Sequence, residues 1–130
     1  MVPKKRGLYF SRTARLVQDI VAVICLRAED EISIDSVVDD LTRSVSYLIN
    51  PDEVIQNLHH LRRTGLISID WHKRTIKRSG TIKDYVNKYV VAQTIWPTVL
   101  EDWIKISRTI QEHYGTANSE YAELLTQKQY

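Results

Sequence analysis

One helix with a marked beginning and end constrains the fold of this chain more than any other feature. Asn50 and Pro51 predict its first turn, because Asn caps helices well and Pro lacks the N–H that would have no intrahelical partner there. Gly65 predicts its end, since glycine readily adopts the left-handed conformation that stops a helix. Directly afterwards, residues 66–71 alternate between apolar and polar, which predicts a strand. The apolar residues of the helix share one face and are predicted to be buried: Val54, Ile55, Leu58 and Leu61.

Three shorter elements are predicted before this helix. A first helix begins near Ser11 and buries one wide apolar face, since its apolar residues recur at helical spacing. The alternation of residues 32–34 is enough for one short strand. A second helix follows, in which Ser36 and Asp39 resemble a capping box.

The pattern after this helix completes the fold prediction. Residues 75–77 predict a second strand, which forms a hairpin with the first. Helical spacing returns at Thr81, and Pro97 should break that helix near Trp96. A further helix then runs to Gly115, and a last short one begins at about Asn118. The sequence therefore predicts a mainly α fold with a small β-hairpin (α+β).

The predicted order of helix, short strand, helix, helix and hairpin is that of a winged helix-turn-helix. Residues 51–67 resemble the recognition helix and wing entry of MarR-like and PadR-like regulators: a helix that closes on Leu, then polar residues, then Gly-Leu-Ile. The resemblance covers roughly residues 11–80 and implies a winged-helix core, usually dimeric through extra helices. This chain departs from the pattern because ten positions separate Leu41 from Pro51, more than a standard tight turn. We expect either an extra turn of the second helix or a looped-out connection.

The resemblance suggests three parts: a flexible basic arm (1–10), a winged-helix domain (11–80) and C-terminal helices (81–130). An aromatic stripe on helices outside a complete core usually pairs with a second copy, so we expect a homodimer through the C-terminal helices. Alternatively these helices fold back onto the first helix, and both arrangements can hold at once. The aromatic residues concerned are Tyr85, Tyr89, Trp96, Trp103, Tyr114 and Tyr121.

Charge is distributed unevenly along the chain. The net charge is +2, but blocks 1–15, 16–56, 57–88 and 89–130 carry +5, −7, +6 and −2. Two basic blocks around an acidic one indicate a surface that faces a polyanion. The plainer alternative is that each block is a solvated face.

Double-stranded DNA is the partner that these features predict. The outward face of helix 51–64 carries Gln, which pairs with adenine, and Arg, which pairs with guanine. The wing, residues 72–80, would contact phosphates, unless its cations only protect a sheet edge. The arm would track a groove, with a plain solvated tail as the alternative. The predicted DNA-binding residues are Gln56, Asn57, His59, His60 and Arg63 of the helix, Lys73, Arg74, Lys77 and Arg78 of the wing, and Lys4, Lys5 and Arg6 of the arm.

The sequence does not predict an enzyme or a cofactor. It contains no glycine-rich phosphate loop, nucleophile elbow or HExxH motif. His59 and His60 are adjacent and diverge on a helix, so they cannot clamp one metal ion together. A single cysteine excludes an intrachain disulfide and a Cys-based zinc site, and Cys25 is predicted to be an inert core thiol. Asp39 and Asp40 are expected on an exposed face.

The first hypothesis for the function is therefore a dimeric, double-stranded DNA-binding transcriptional regulator. We expect it in the cytoplasm, associated with the nucleoid, since the longest apolar run, residues 20–26, is too short to cross a bilayer. A plasmid or viral centromere- or origin-binding protein would use the same surfaces. The alternative class is a winged-helix protein-protein interaction module without DNA binding, favoured by the acids of the first three helices. One continuous positive face on the recognition helix and wing would favour DNA.

Overall fold

The fold is mainly helical with one small antiparallel sheet, which confirms the predicted α+β class; the sheet has three strands rather than the two of the predicted hairpin. A computed structural model of the protein describes residues 12–90 and 97–126. In chain order the elements are α1 (Arg12–Leu26), β1 (Glu31–Ser33), α2 (Ile34–Ser44), α3 (Pro51–Arg63), β2 (Ile67–Asp70), β3 (Thr75–Arg78), α4 (Ile82–Tyr85), a π-helix (Val86–Val90), α5 (Pro97–Tyr114) and α6 (Ser119–Thr126).

Both predicted ends of α3 are confirmed. The Asn50 side chain accepts a hydrogen bond from the Asp52 backbone N–H at 2.9 Å, and Pro51 occupies the first turn. At the other end Gly65 has a φ of 83°, and the Leu66 N–H donates back to the Leu61 carbonyl at 3.1 Å. This is the glycine-terminated helix end that the sequence indicates.

The beginning of α2 differs from the prediction. Ser33, not Ser36, is the capping residue, and its hydroxyl accepts from the Ser36 N–H at 3.3 Å. Ser36 lies inside the helix, where its own hydroxyl donates to the Ser33 carbonyl at 2.7 Å. The capping box at Ser36 is therefore wrong by one turn, because the chain turns into the helix directly from β1. At its other end α2 stops at Ser44, so residues 45–50 form the looped-out connection to α3.

The sheet joins β1 to the predicted hairpin, in the order β1-β3-β2. Ile76 of β3 is central, since it lies opposite Ile32 of β1 and Ile69 of β2. Ile32 and Ile76 have no exposed surface, so this row of isoleucines faces the core. One face of the sheet thus packs on the helices and the other faces outward.

Helix α1 is buried more completely than the sequence predicts. Only one wide face was expected to be covered, yet every residue from 20 to 26 has 0% exposure. A helix that is apolar all round in this way belongs at the centre of a core. The cover comes from both parts of the chain, because α2 and α3 contact α1, and so do α5 and α6.

The C-terminal helices fold back onto α1, which is the second of the two arrangements expected for them. Helix α5 begins at Pro97, where a break was predicted, and packs on α1 and α2. Trp103, Ile106 and Ile110 of α5 belong to the same buried cluster as Leu16 of α1. One core therefore runs across the expected boundary between residues 80 and 81. Trp96 lies outside the described residues.

Arg78, predicted to contact phosphate, makes internal hydrogen bonds in this structure. Its guanidinium donates to the carbonyl oxygens of Ile24 at 2.7 Å, Arg27 at 3.1 Å and Glu29 at 3.0 Å. These carbonyls lie at and just beyond the end of α1, where helical carbonyls lack partners and a cation is favourable. The last residue of β3 therefore fixes the hairpin to the central helix.

Replacing Arg78 by Met should lower the free energy of unfolding by about 2 kcal/mol, because hydrogen bonds to a charged group contribute about 1.5–3 kcal/mol. Urea denaturation followed by circular dichroism measures the change. Lys77→Met is the matched control on the same strand, where the side chain is 60% exposed and the loss should stay within about 0.5 kcal/mol. Equal losses in the two variants would contradict the structural role of Arg78.

Candidate nucleic-acid interface

Three of the predicted base-reading residues share one exposed line of α3. Gln56, His60 and Arg63 follow the helical spacing of four and three residues, and all three are exposed. Arg62 is exposed beside Arg63. In the part of the chain that the structure describes, none of these four side chains has a hydrogen bond or an ion pair. The buried residues on the opposite side hold α3 against the core: Val54, Leu58 and Leu61.

Two other predicted residues of α3 are turned toward the protein. Asn57 is half-buried, and its amide donates to the Glu53 carbonyl one turn earlier at 2.8 Å. His59 is half-buried and stacks on Trp71, with ring centroids 4.6 Å apart and planes at 29°. This stack joins α3 to the turn between β2 and β3. His59 and Asn57 thus make contacts within the protein and do not belong to the exposed line.

Trp71 is the residue at this surface that the sequence analysis did not single out. It stands at the start of the hairpin turn and remains 40% exposed even with His59 stacked on it. Period-two alternation would place Trp71 on the same face as Ile67 and Ile69, so its exposure beside α3 could not be predicted from the strand pattern. The hairpin turn itself is organised by the Asp70 carboxylate, which accepts from the N–H groups of His72 at 3.0 Å and Lys73 at 3.1 Å.

Ion pairs engage the three exposed cations of the wing. Lys73 and Lys77 lie 4.0 and 3.6 Å from the Glu31 carboxylate on the neighbouring strand β1. Arg74 lies 2.9 Å from Asp35 in the first turn of α2. All of these side chains are exposed, so each pair is worth little in water and exchanges readily. The acids Glu31 and Asp35 nevertheless interrupt the continuous positive face that would favour DNA.

Lys4, Lys5 and Arg6 lie outside the described residues, so their predicted contacts stay a prediction. With Arg78 engaged at the end of α1, the candidate interface consists of the exposed line of α3, the adjacent exposed Arg62, and the three exposed cations of the wing. Its members are Gln56, His60, Arg62 and Arg63 of α3, with Lys73, Arg74 and Lys77 of the wing.

Asp40, expected on an exposed face, is buried and paired. The Arg27 guanidinium donates to its Oδ2 at 3.0 Å, and the Tyr114 hydroxyl donates to its Oδ1 at 3.0 Å. The guanidinium also lies 3.9 Å over the Tyr114 ring. Burial raises the pKa of Asp40, while its partners oppose that rise. The exposed-face prediction is wrong because α5 covers this side of α2, so the cluster ties α2 and α5 to the residue that follows α1.

A second buried acidic cluster, between α1 and α5, was invisible in the sequence. Asp19 and Asp102 are almost fully buried, at 0% and 1% exposure. The Tyr47 hydroxyl donates to Asp19 at 2.7 Å, and Arg15 pairs with Asp102 at 2.7 Å. Burial, then the neighbouring Asp102 charge, raise the pKa of Asp19 to about 8. No local motif could have shown this pair, since its members stand on helices far apart in sequence.

No described residues form a metal site, since no group of three or more His, Cys, Asp or Glu comes together among residues 12–90 and 97–126. The predicted core position of Cys25 is confirmed, and burial raises the pKa of its thiol to about 12. None of the helices described reaches the length and apolar character needed to cross a membrane.

Comparison with known proteins found no match for this chain, whether against protein-family models, curated proteins or solved structures.

The raised pKa of Asp19 makes stability depend on pH. Its folded-state pKa of about 8 lies above the ordinary value of 3.8, so folding takes up a proton between these limits. The contribution of this group to the free energy of unfolding is therefore largest at low pH. It falls as the pH rises toward 8, by up to about 1.4 kcal/mol per pH unit. Asp19→Asn should remove this slope, since an amide still accepts from Tyr47 and carries no charge.

Urea titrations between about pH 5 and about pH 8 compare the two proteins. Asp39→Asn changes an exposed acid on α2 and is the control. Its free energy of unfolding should depend on pH as steeply as that of the unsubstituted protein. A slope retained in Asp19→Asn would mean that Asp19 is already ionised when folded at low pH.

Proposed function

We propose that the chain binds double-stranded DNA, with α3 in the major groove and the wing on the flanking phosphates. The observation that carries the proposal is the exposed line of Gln56, His60 and Arg63, whose side chains have no partners among the described residues. A major groove accepts one helix, and such a line presents donors and acceptors to base edges. Gln56 would read adenine and Arg63 guanine.

Support for this placement comes from the way α3 is held. A recognition element must keep its side chains in register with base pairs, which requires a rigid attachment to the protein. Three buried residues fix α3 on the core and provide this attachment, and the His59–Trp71 stack adds a contact with the hairpin turn. The order of elements is also the one in which winged-helix proteins present their recognition helix.

The wing cations can contact DNA if phosphates replace the carboxylates with which they pair. Because Lys73 and Lys77 share one exposed carboxylate, at 4.0 and 3.6 Å, a phosphate can replace Glu31 with little loss. Arg74 would exchange Asp35 in the same way. The proposal counts these side chains as phosphate contacts and assigns no base reading to them.

The proposal includes a homodimer that acts as a transcriptional regulator on the nucleoid and carries no catalytic activity. Two copies would set their α3 helices about 34 Å apart, one turn of DNA, and select a pseudo-palindrome. The interface cannot draw on Trp103, Ile106 and Ile110, which are already buried in the core of the same chain. It would have to use the outward side of α5 and α6. A centromere- or origin-binding protein would use the same surfaces on repeated sites.

The first experiment is a fluorescence-anisotropy titration against a random-sequence duplex of about 30 base pairs. If Arg62, Lys73, Arg74 and Lys77 each neutralise one phosphate, affinity should fall about a hundredfold between about 50 and about 200 mM salt. The double variant Arg62→Glu, Arg63→Glu should weaken binding at low salt by at least about tenfold. Arg108→Glu, an exposed cation of α5, is the control and should lose far less.

A second candidate is a protein-interaction module, which the ion pairs of the wing favour. Under this candidate Glu31 and Asp35 hold the wing cations for structural reasons, and α3 meets a protein. The titration separates the two: absence of DNA binding at low salt would overturn the DNA proposal and leave the interaction module.

A further inference from the structure

A groove opens between the first turns of α2, the start of α3 and the hairpin turn. Its volume is about 430 Å³, within the range of about 300–1,000 Å³ that is typical of binding clefts. Apolar side chains form much of its lining, among them Val38, Ile55 and Trp71. Val38 and Ile55 are half-buried and Trp71 is 40% exposed, so apolar surface is accessible in this groove.

Carboxylates border this apolar lining. Asp35, Asp39 and Asp52 line the groove, and Arg74 is the one cation among its lining residues. Arg74 pairs with Asp35 at 2.9 Å. The side chains of Asp39 and Asp52 are exposed and have no hydrogen bond or ion pair within residues 12–90 and 97–126. Two carboxylates at the groove are therefore available to a partner.

The two helices contribute the same combination of side chains to the groove. On α3, Asp52 precedes Ile55 by three positions, and on α2, Val38 stands between Asp35 and Asp39. Residues three or four positions apart are neighbours on one side of a helix. Each helix therefore presents an apolar side chain together with a carboxylate. A partner that covers both apolar side chains would meet carboxylates from two helices.

This lining selects a partner by its charge and by its apolar side chains. Unpaired carboxylates repel phosphates and acidic segments, whereas they attract Lys and Arg. Trp71 favours Arg, because a guanidinium stacks on an aromatic ring better than an ammonium does. The apolar lining requires large apolar side chains, which displace water from it. A segment that carries arginines beside large apolar residues meets both requirements.

We propose that this groove binds a segment of a partner protein in which arginines flank large apolar residues. The apolar residues of the segment cover the apolar lining, and its arginines pair with Asp39 and Asp52. The inference does not rest on DNA binding, because Arg74 is the one groove residue that also belongs to the candidate nucleic-acid interface. Its test contains no DNA, so the two proposals can fail independently.

A blocked peptide, Gly-Arg-Leu-Leu-Arg-Gly, tests the proposal in an NMR titration of the isotope-labelled full chain. We expect saturable shifts of the Val38 and Ile55 amide signals and of the Trp71 indole signal, with a Kd of about 1 mM at low salt. The amide signal of Glu123 on α6 should not shift. Two control peptides carry Glu in place of Arg, or Ser in place of Leu. Each should bind at least about tenfold more weakly, because it lacks either the charge or the apolar side chains.

Charge variants of the protein decide whether the groove acids hold the peptide. Asp39→Asn with Asp52→Asn should raise the Kd about fivefold, because two exposed ion pairs are lost. Asp84→Asn with Glu112→Gln, the same charge change at exposed acids elsewhere, should leave the Kd within about twofold. Equal Kd values in the two double variants, or no saturation up to about 5 mM peptide, would overturn the proposal. So would groove signals that shift when the chain alone is diluted, because a second copy would then occupy the groove.

Discussion

Complete burial of the second half of α1 is the constraint on which the rest of the structure depends. A helix that exposes nothing between residues 20 and 26 must be covered from every direction. No single layer can do this, so α2 and α3 cover some sides while α5 and α6 cover the others. The C-terminal helices are therefore part of the core, and the candidate interface on α3 stands on a support that spans almost the whole described chain.

Local signals in the sequence were enough to predict the elements, because their causes are local. Asn50, Pro51 and Gly65 act on backbone groups within a few residues, and their effects appear where expected. Contacts between distant residues were not predictable in the same way. Asp40 looked exposed because Tyr114, which donates to it, stands 74 residues later. The Arg78 carbonyl contacts likewise span up to 54 residues, so counting charges along the chain could not show that this cation is held at the end of α1.

In the candidate interface, too, the local features were predictable from the sequence and the contacts between distant residues were not. Helical spacing placed Gln56, His60 and Arg63 together on an exposed line, as periodicity alone can do. It could not show that His59 would turn toward Trp71, since that stack depends on where the hairpin turn lies. Pairing of Lys73 and Lys77 with Glu31 depends on a third strand beside the hairpin, and pairing of Arg74 with Asp35 depends on the first turn of α2. Tertiary contacts bring these two acids beside the wing, and they lower the net positive charge that the hairpin sequence alone would give this surface.

The two ends of the hairpin are attached very differently, and this has a mechanical consequence. At the base, Arg78 holds three carbonyls around the end of α1, so that end shares the rigidity of the central helix. At the tip, exposed ion pairs and one ring stack provide the attachment. A load applied at the tip would bend the turn first and reach α1 only through the strands. The tip of the hairpin, where it would meet a partner, is thus more easily deformed than its base, which is held on the core.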